Sequence, residues 1–352
     1  MSASKIIGLD IGTGHVRAVE IARGRGDSRG TVTRVAEADL PPGAVRDGEV
    51  AEPHTVATTV RQLWSRSRFS TTDVVLGVGN QRVIVRDLEM PSMPQAQLKA
   101  ALPFQVGDML PVAVEDALLD YMPLTQREGG EQGQVLGGLL VAATKDTVMA
   151  NVRAVQMAKL NPVAVDLAAF AQTRALMRPE MAHQVVAFVD VGARVTTVLI
   201  SAFGVPRVVR LIAAGGQDVT DTLTDSLAIS ASEAEGLKRR VGFGQGSTPE
   251  TAQAADIIGT VTRNVVESIR NTFVYYGAAN PGQGVTNVVM TGGGVSLLGF
   301  GQYLSNASRL PVVIGQPFDG LRASSRAGLD PSRLARQHEF TIATGLALRS
   351  AA

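Results

Sequence analysis

The chain has 352 residues, with 33 basic and 32 acidic side chains and 45% apolar residues. That content supports a sizeable core and roughly two domains, and it excludes a disordered or fibrous chain. A net charge of +1 excludes a general nucleic-acid or membrane-surface binder, and the absence of cysteine excludes disulfides, thiolate metal sites and cysteine nucleophiles.

The four histidines, His15, His54, His183 and His338, are far apart and lack metal-ligand spacing. The opening residues carry Lys5, Asp10, Arg17 and Glu20, which break the core a signal peptide needs. No stretch reaches the roughly 18 uncharged apolar residues that span a bilayer. The expectation is a cytoplasmic protein that meets a membrane only through a partner.

In chain order, Ile6 to Ile11 and Val16 to Ile21 read as a hairpin closed by Gly12-Thr13-Gly14-His15. A Gly/Asp/Ser-rich turn from Gly24 to Gly30 contains Arg25-Gly26-Asp27, read as a solvated turn. Thr31 to Ala36 is a strand, Thr55 to Ser67 an amphipathic helix, and Val74 to Val78 and Arg82 to Leu88 are strands. Gln95 to Met109 has helical content, which Pro103 kinks or interrupts and Pro111 stops. Leu118 to Leu124 and Leu136 to Ala143 are strands around a polar turn, and Lys145 to Lys159 is a helix. Residues 85–160 thus read as an α+β unit inserted into a larger fold.

Val185 to Val191 and Thr196 to Ser201 repeat the opening hairpin. Helices follow at Gln217 to Leu227, at Ser232 to Val241 and over Thr251 to Tyr276. Ser232 and Glu235 have the spacing of a capping box. Asn287 to Thr291 is a strand that runs into Gly292-Gly293-Gly294, Val312 to Ile314 is another, and Gln337 to Arg349 is a last helix.

The repeat is the main organisational signal. Ile7-Gly8-Leu9-Asp10-Ile11-Gly12 and Ala187-Phe188-Val189-Asp190-Val191-Gly192 share one pattern, 180 positions apart. Two related halves place an acidic residue on each wall of a cleft. Glycine lets the backbone approach a ligand, and successive amides form a nest for phosphate oxygens. Mg²⁺ is usually held by one or two carboxylates, waters and phosphates. Asp10 and Asp190 are therefore candidate Mg²⁺ ligands, through water, and the backbone of Thr13, Gly14 and His15 a candidate phosphate cradle. Taken singly, Gly12 and Gly192 read equally well as plain hairpin glycines.

These residues carry a resemblance. Ile6 to Gly14, Phe188 to Gly192 and Val289 to Gly294 resemble the two phosphate loops and the adenosine loop of the actin and FtsA ATPase superfamily. Val16-Arg17-Ala18-Val19-Glu20-Ile21, Met90-Pro91-Ser92-Met93, Asp120 to Leu124, Val141 to Lys145, Asn161 to Asp166 and Ala343 to Arg349 resemble, in that order, the PilM family of type IV pilus assembly. The resemblance implies an α/β actin-like ATPase fold, with two ribonuclease-H-like lobes and an FtsA-type inserted α+β subdomain. On that pattern residues 1–84 and 161–184 form the first lobe, 85–160 the insertion and 185–352 the second lobe, with a subdomain at about 217–280 and a C-terminal helix that returns to the first lobe.

The resemblance also implies ATP and Mg²⁺ as cofactors, with slow or absent hydrolysis. The implied partner is the cytoplasmic N-terminal peptide of a PilN-type membrane protein, in a groove beside the insertion. Pilus motor ATPases and further copies of the chain are other implied contacts. Carried over residue by residue, Thr13 and Gly14 match the phosphate turn, and Asp10 and Asp190 the metal-side aspartates. Gly215 and Gly216 match a glycine pair near the phosphates, and Glu235 and Lys238 a helix face that meets ribose and adenine. Gly292, Gly293 and Gly294 match the nucleotide-facing loop. Asp166 matches a position near the attacking water, although its residues read equally as a turn aspartate. Arg17 stands where many relatives have lysine, and it reaches phosphate only if it faces the cleft. His15 replaces a smaller residue, and Gln217 an asparagine. Two other functions share such a fold, a polymerising FtsA-like ATPase and a small-molecule kinase with Asp166 as base.

Overall fold

The computed structural model describes residues 4–24, 29–128, 133–244 and 248–349. The Arg25-Gly26-Asp27 tripeptide, the tip of the turn after Glu128 and Ser350 to Ala352 lie outside them.

Strands β1 (Ser4–Ile11) and β2 (His15–Arg23) form the expected hairpin, extended by β3 (Thr31–Asp39). A ribbon of β4 (Val45–Arg46) and β5 (Glu49–Val50) leads to α1 (Pro53–Ser67). Proline suits the first helical turn, and Val56, Val60 and Leu63 recur at helical spacing on the buried face. Then β6 (Asp73–Val78) runs parallel to β1.

A separate antiparallel sheet follows. β7 (Ile84–Pro91) leads through α2 (Gln95–Gln105) to β8 (Ala117–Glu128) and β9 (Gln134–Thr144), in the order β7-β9-β8. Helix α2 runs two residues past Pro103 and buries Leu98 and Leu102 against Met90 and Leu140. Helix α3 (Lys145–Met157) instead puts Ala154 and Val155 into the core that holds Ile7 and Leu9 of β1. β10 (Asn161–Leu167) joins β6 in parallel, and α4 (Ala168–Leu176) follows.

The second lobe repeats the plan. β11 (Val185–Val191), β12 (Thr196–Ala202) and β13 (Val205–Ile212) form an antiparallel meander. Helices α5 (Gly216–Leu227), α6 (Ala231–Val241) and α7 (Pro249–Ala279) come next. β14 (Asn287–Thr291), α8 (Phe300–Ser308) and β15 (Val312–Ile314) complete a sheet ordered β13-β12-β11-β14-β15. The chain then crosses back. β16 (Arg322–Ala323) pairs with β3, giving the first sheet the order β10-β6-β1-β2-β3-β16. After α9 (Pro331–Ala335), α10 (Thr341–Ala347) packs on β1, β2, β6 and α4.

Two local expectations are corrected. The capping box of α6 is Ser230 with Glu233, not Ser232 with Glu235. Both pairs have the same spacing, and the helix starts two residues earlier than its first charged turn suggests. The last helix is broken: Gln337–Phe340 forms a 3₁₀ turn before α10 begins.

Close backbone packing fixes α10. A Cβ at Gly8 would lie 1.9 Å from the Ala343 carbonyl oxygen, and one at Gly345 would lie 1.7 Å from that of Ala171. The helix is thus seated between β1 and α4 with no room for side chains.

Candidate functional site

The two hairpin turns are closed by the same bond. The Gly12 N–H donates to the His15 carbonyl at 2.9 Å, and the Gly192 N–H to the Val195 carbonyl at 3.0 Å. Among the described residues, the N–H groups of Thr13 and Gly14, and of Ala193 and Arg194, have no partner. Free amides in tight turns suit anionic oxygens.

Strand register builds a charged row beside the first turn. Asp10 on β1 is opposite Arg17 on β2, which is opposite Glu37 on β3. Residues in one transverse row share a face of the sheet. Burial lifts the Asp10 carboxyl to about 6, with the Asp190 charge adding to it and Arg17 opposing it. Burial also lifts Asp190, against a hydrogen bond from Thr291 at 2.9 Å and the charge of Arg17. The lobes therefore bring Asp10, Asp190 and Arg17 within one another's field.

Arg17 faces this cleft. Its guanidinium donates to Glu339, its Nε lies 3.5 Å from the Glu37 carboxylate, and it stands 5.7 Å from the centre of the Phe340 ring. The same Nε is buried and has no hydrogen-bond acceptor. Arg336 braces both acids, donating to Glu339 at 2.8 Å and to Glu37 at 3.2 Å. Although burial works against it, Glu339 is held below the usual carboxylate range by Arg336 and Arg17. His15 turns aside, with Nε2 3.4 Å from Asp39, and burial and Arg17 lower its pKa.

The third glycine loop meets the same floor. Gly292 has φ of 82°, and a Cβ there would lie 2.5 Å from the Val191 carbonyl oxygen and 3.0 Å from Asp190 Oδ1. Gly294 packs against Val191, while Gly293 faces open space. The N–H groups of Gly293 and Gly294 begin a 3₁₀ turn and find no acceptor among the described residues.

The α5 glycine pair is placed differently from a free phosphate cradle. The Gly215 N–H donates to Asp218 at 2.7 Å, the Gly216 N–H to the Gly192 carbonyl at 2.9 Å, and the Gln217 N–H to the Ala193 carbonyl at 2.8 Å. These amides fasten α5 to the second hairpin. Lys238 Nζ donates to the Gly216 carbonyl at 2.9 Å and to Thr220 at 2.8 Å, and it pairs with Glu235 at 2.5 Å. Despite a burial cost, Glu235 is drawn down to about 2 by Lys238 and Arg239. Gly215, Gly216, Glu235 and Lys238 are thus brought together as one cluster between α5 and α6.

Asp166 stands apart from the hairpin turns. It pairs with Gly77 on β6, and Leu9 of β1 pairs with the preceding Leu76. Two strand spacings put it about 10 Å along the row from Asp10. Its carboxylate accepts from Arg174 and from the Leu167 N–H at 2.8 Å, with Arg349 at 3.7 Å.

Sequence reasoning missed Thr291, His338, Glu339 and Glu37. Thr291 was the findable one, because it immediately precedes the glycine triplet on a strand end. Nothing local marks Glu339, which reaches Arg17 across 322 positions. Among the described residues no cluster of three or more His, Asp and Glu side chains could hold a metal alone, and no helix is long and apolar enough to cross a membrane. The pair Asp10 and Asp190, half-buried at the ends of matched strands beside turns with free amides, offers the donors that suit a hydrated cation held together with phosphates.

Comparison with known proteins agrees with this architecture. The sequence model of a family described as type IV pilus assembly protein PilM matches residues 8–351. A solved structure described as a PilM-PilN type IV pilus biogenesis complex superposes with a TM-score of 0.84 at 25% identity, covering 97% of each chain. The ethanolamine utilization protein EutJ from Carboxydothermus hydrogenoformans gives 0.55 at 14% identity, covering 99% of this chain and 90% of that one. MreB 5 of Spiroplasma citri, bound to AMPPNP, gives 0.52 at 14% identity, covering 97% and 94%. The fold is the actin-like ATPase fold.

Proposed function

The chain belongs to the PilM family of type IV pilus assembly proteins, and from that premise we propose that it is an ATP-binding scaffold of the pilus assembly complex. The observation that carries the nucleotide reading is the pair of matched turns, each with unpartnered amides, beside Asp10 and Asp190. The amides of Thr13, Gly14, Gly293 and Gly294 would bind phosphate oxygens. Asp10 and Asp190 would hold Mg²⁺ through water, and the ion would offset phosphate charge. Arg17 would bind the phosphate chain. The Gly215, Gly216, Glu235 and Lys238 cluster would line the nucleoside side. Hydrolysis would be slow, because Asp166, the expected base, is tied to Arg174 and Arg349.

The partner would be the N-terminal cytoplasmic peptide of a PilN-type protein, which would bring this protein to the inner membrane. A shallow apolar groove beside the β7-β9-β8 sheet would seat such a peptide on the surface. Ile84, Leu110, Pro111, Val112, Ala142, Ala143 and Thr144 line it, and Arg82 at its edge also lines a second, more polar hollow with Arg46 and Glu49. The sheet that walls it is two-faced. Ile84 and Ala142 face the groove, while Val85 and Val141 pack in a cluster with Phe188 and Val209 of the second lobe, and Ala143 touches both sides. Lobe movement on nucleotide binding would then reach the groove directly, provided the two lobe arrangements differ in affinity for ATP.

The test is a fluorescence titration with a PilN-type N-terminal peptide, with and without ATP·Mg²⁺. A shift in affinity of about fivefold or more supports the coupled scaffold. Equal affinities sink the coupling, and peptide binding without any ATP binding leaves a nucleotide-independent scaffold.

A further inference from the structure

We propose that Glu339 controls nucleotide affinity by competing with the phosphate chain for Arg17. This rests on the nucleotide reading of the cleft and deepens it.

Four observations carry the inference. Arg17 stands directly opposite Asp10 in the strand register and is largely buried, and its charge acts on both aspartates, so a ligand at Asp10 meets it. Its Nη2 is taken by Glu339, while its buried Nε has no hydrogen-bond acceptor. A guanidinium presents several donors in a fixed fork, and here only part of that fork is used. Glu339 would not be stranded if Arg17 left it, because Arg336 binds both its oxygens, at 3.0 Å and 2.8 Å. The Phe340 ring also stays beside the guanidinium, offering it a second support during the exchange.

Charge sets the sign. Glu37 and Glu339 pair with both Arg17 and Arg336, while Asp10 and Asp190 face Arg17 alone, so four carboxylates stand against two arginines at the floor of the cleft. A polyphosphate arriving there meets repulsion, and its best counter-charge is already paired. Removing the charge of Glu339 frees Arg17 and lowers the repulsion together. Adenosine and its monophosphate reach less far along the phosphate path, so they gain less. Glu339 also lies in the turn that leads into α10, so the exchange would be felt beneath the first sheet.

The experiment is calorimetric titration of ATP·Mg²⁺ and of AMP into the full chain, its Glu339→Gln variant and its Glu37→Gln variant. Thermal melting of each verifies folding. Glu339→Gln is expected to tighten ATP about tenfold. Glu37→Gln, which only loosens the longer contact at Arg17 Nε, should gain no more than about threefold, and AMP should change by no more than about twofold. If Glu339→Gln does not fold, Glu339→Asp retracts the carboxylate while keeping its charge, and an ATP gain of about threefold is expected. Unchanged or weaker ATP binding by a folded Glu339 variant overturns the proposal and leaves the nucleotide reading intact. An equal gain in Glu37→Gln also overturns it, since any nearby negative charge would then do. ATP binding by Glu339→Gln but not by the unaltered chain supports it. Failure of every form to bind ATP overturns the nucleotide reading and this proposal with it.

Discussion

Gly292 and His338 hold each other at two points. The Gly292 N–H donates to the His338 carbonyl at 3.3 Å, and His338 Nδ1–H donates to the Gly292 carbonyl at 3.1 Å. Gly292 is in the loop of the second lobe, and His338 is in the turn that carries Glu339 to the first. Burial lowers the His338 pKa, so its ring is neutral at pH 7. His338→Ala should leave a buried carbonyl without its partner and lower stability by about 1–3 kcal/mol. Urea unfolding at pH 7.5 reads this, and an unchanged midpoint would show that the bond adds nothing.

Asp10 should trade stability for binding. Its carboxyl rises from 3.8 to about 6 in the folded chain, chiefly through burial. A folded pKa above the unfolded one means that ionisation opposes folding above that pH. Asp10→Asn should therefore stabilise the nucleotide-free protein by up to about 3 kcal/mol at pH 8. The gain should shrink as pH falls through 6 and vanish below about 4, where both states are protonated. Melting curves from pH 8 to 4, with chelator present, check this. The same variant should lose most ATP·Mg²⁺ affinity. A pH-independent difference in melting temperature would contradict the account.

How much of this could be read beforehand depended on distance along the chain. The two hairpins were legible because strand, Asp, turn and Gly fall within six residues, twice. Most strands were legible as short β-rich apolar runs bounded by turn residues, and α1 from Val56, Val60 and Leu63. The break at Phe340 was not, since apolar residues continue at helical spacing through the 3₁₀ turn. The register of the α6 cap was not, because Ser230–Glu233 and Ser232–Glu235 satisfy one rule. β10 and α4 went unread, being a seven-residue strand with a bulge and an alanine-rich helix without contrast between its faces. In the cleft, sequence offered Asp10, Asp190 and the glycines. It could not offer Glu339, nor show that Lys238 and the α5 amides bind neighbouring backbone and side chains, because those pairings are made by the folded chain.

Close packing of α10 gives a harsher test. Gly345→Ala would place a methyl 1.7 Å from the Ala171 carbonyl oxygen, where only backbone can yield. A loss of at least about 3 kcal/mol is expected. Gly14→Ala is the control, since a Cβ there meets nothing within 4 Å. Comparing soluble yield and denaturation midpoints of the two variants decides it, and equal midpoints would mean that α10 shifts freely.

The peptide groove can be separated from the cleft. Val112 is partly buried on the groove wall, in the loop before β8. Val112→Asp should weaken a PilN-type peptide about tenfold by setting an unpaired charge against apolar contacts. ATP affinity should not change. Peptide binding equal to that of the unaltered protein would move the peptide elsewhere on the surface.

The crossing of the chain back to the first sheet bears on biosynthesis. The second-lobe sheet is assembled from residues 185–314 alone, so it can form while later residues are still being added. The first-lobe sheet cannot be finished that way. Its β16 edge and the α10 helix under its glycines come from residues 322–347. The amino-terminal half is therefore made first but completed last, and its apolar underside stays uncovered for most of translation. An aggregation-prone interval of that kind would make the nascent chain dependent on holding factors, and it would penalise early termination more than an equal loss at the amino-terminal end of the second lobe.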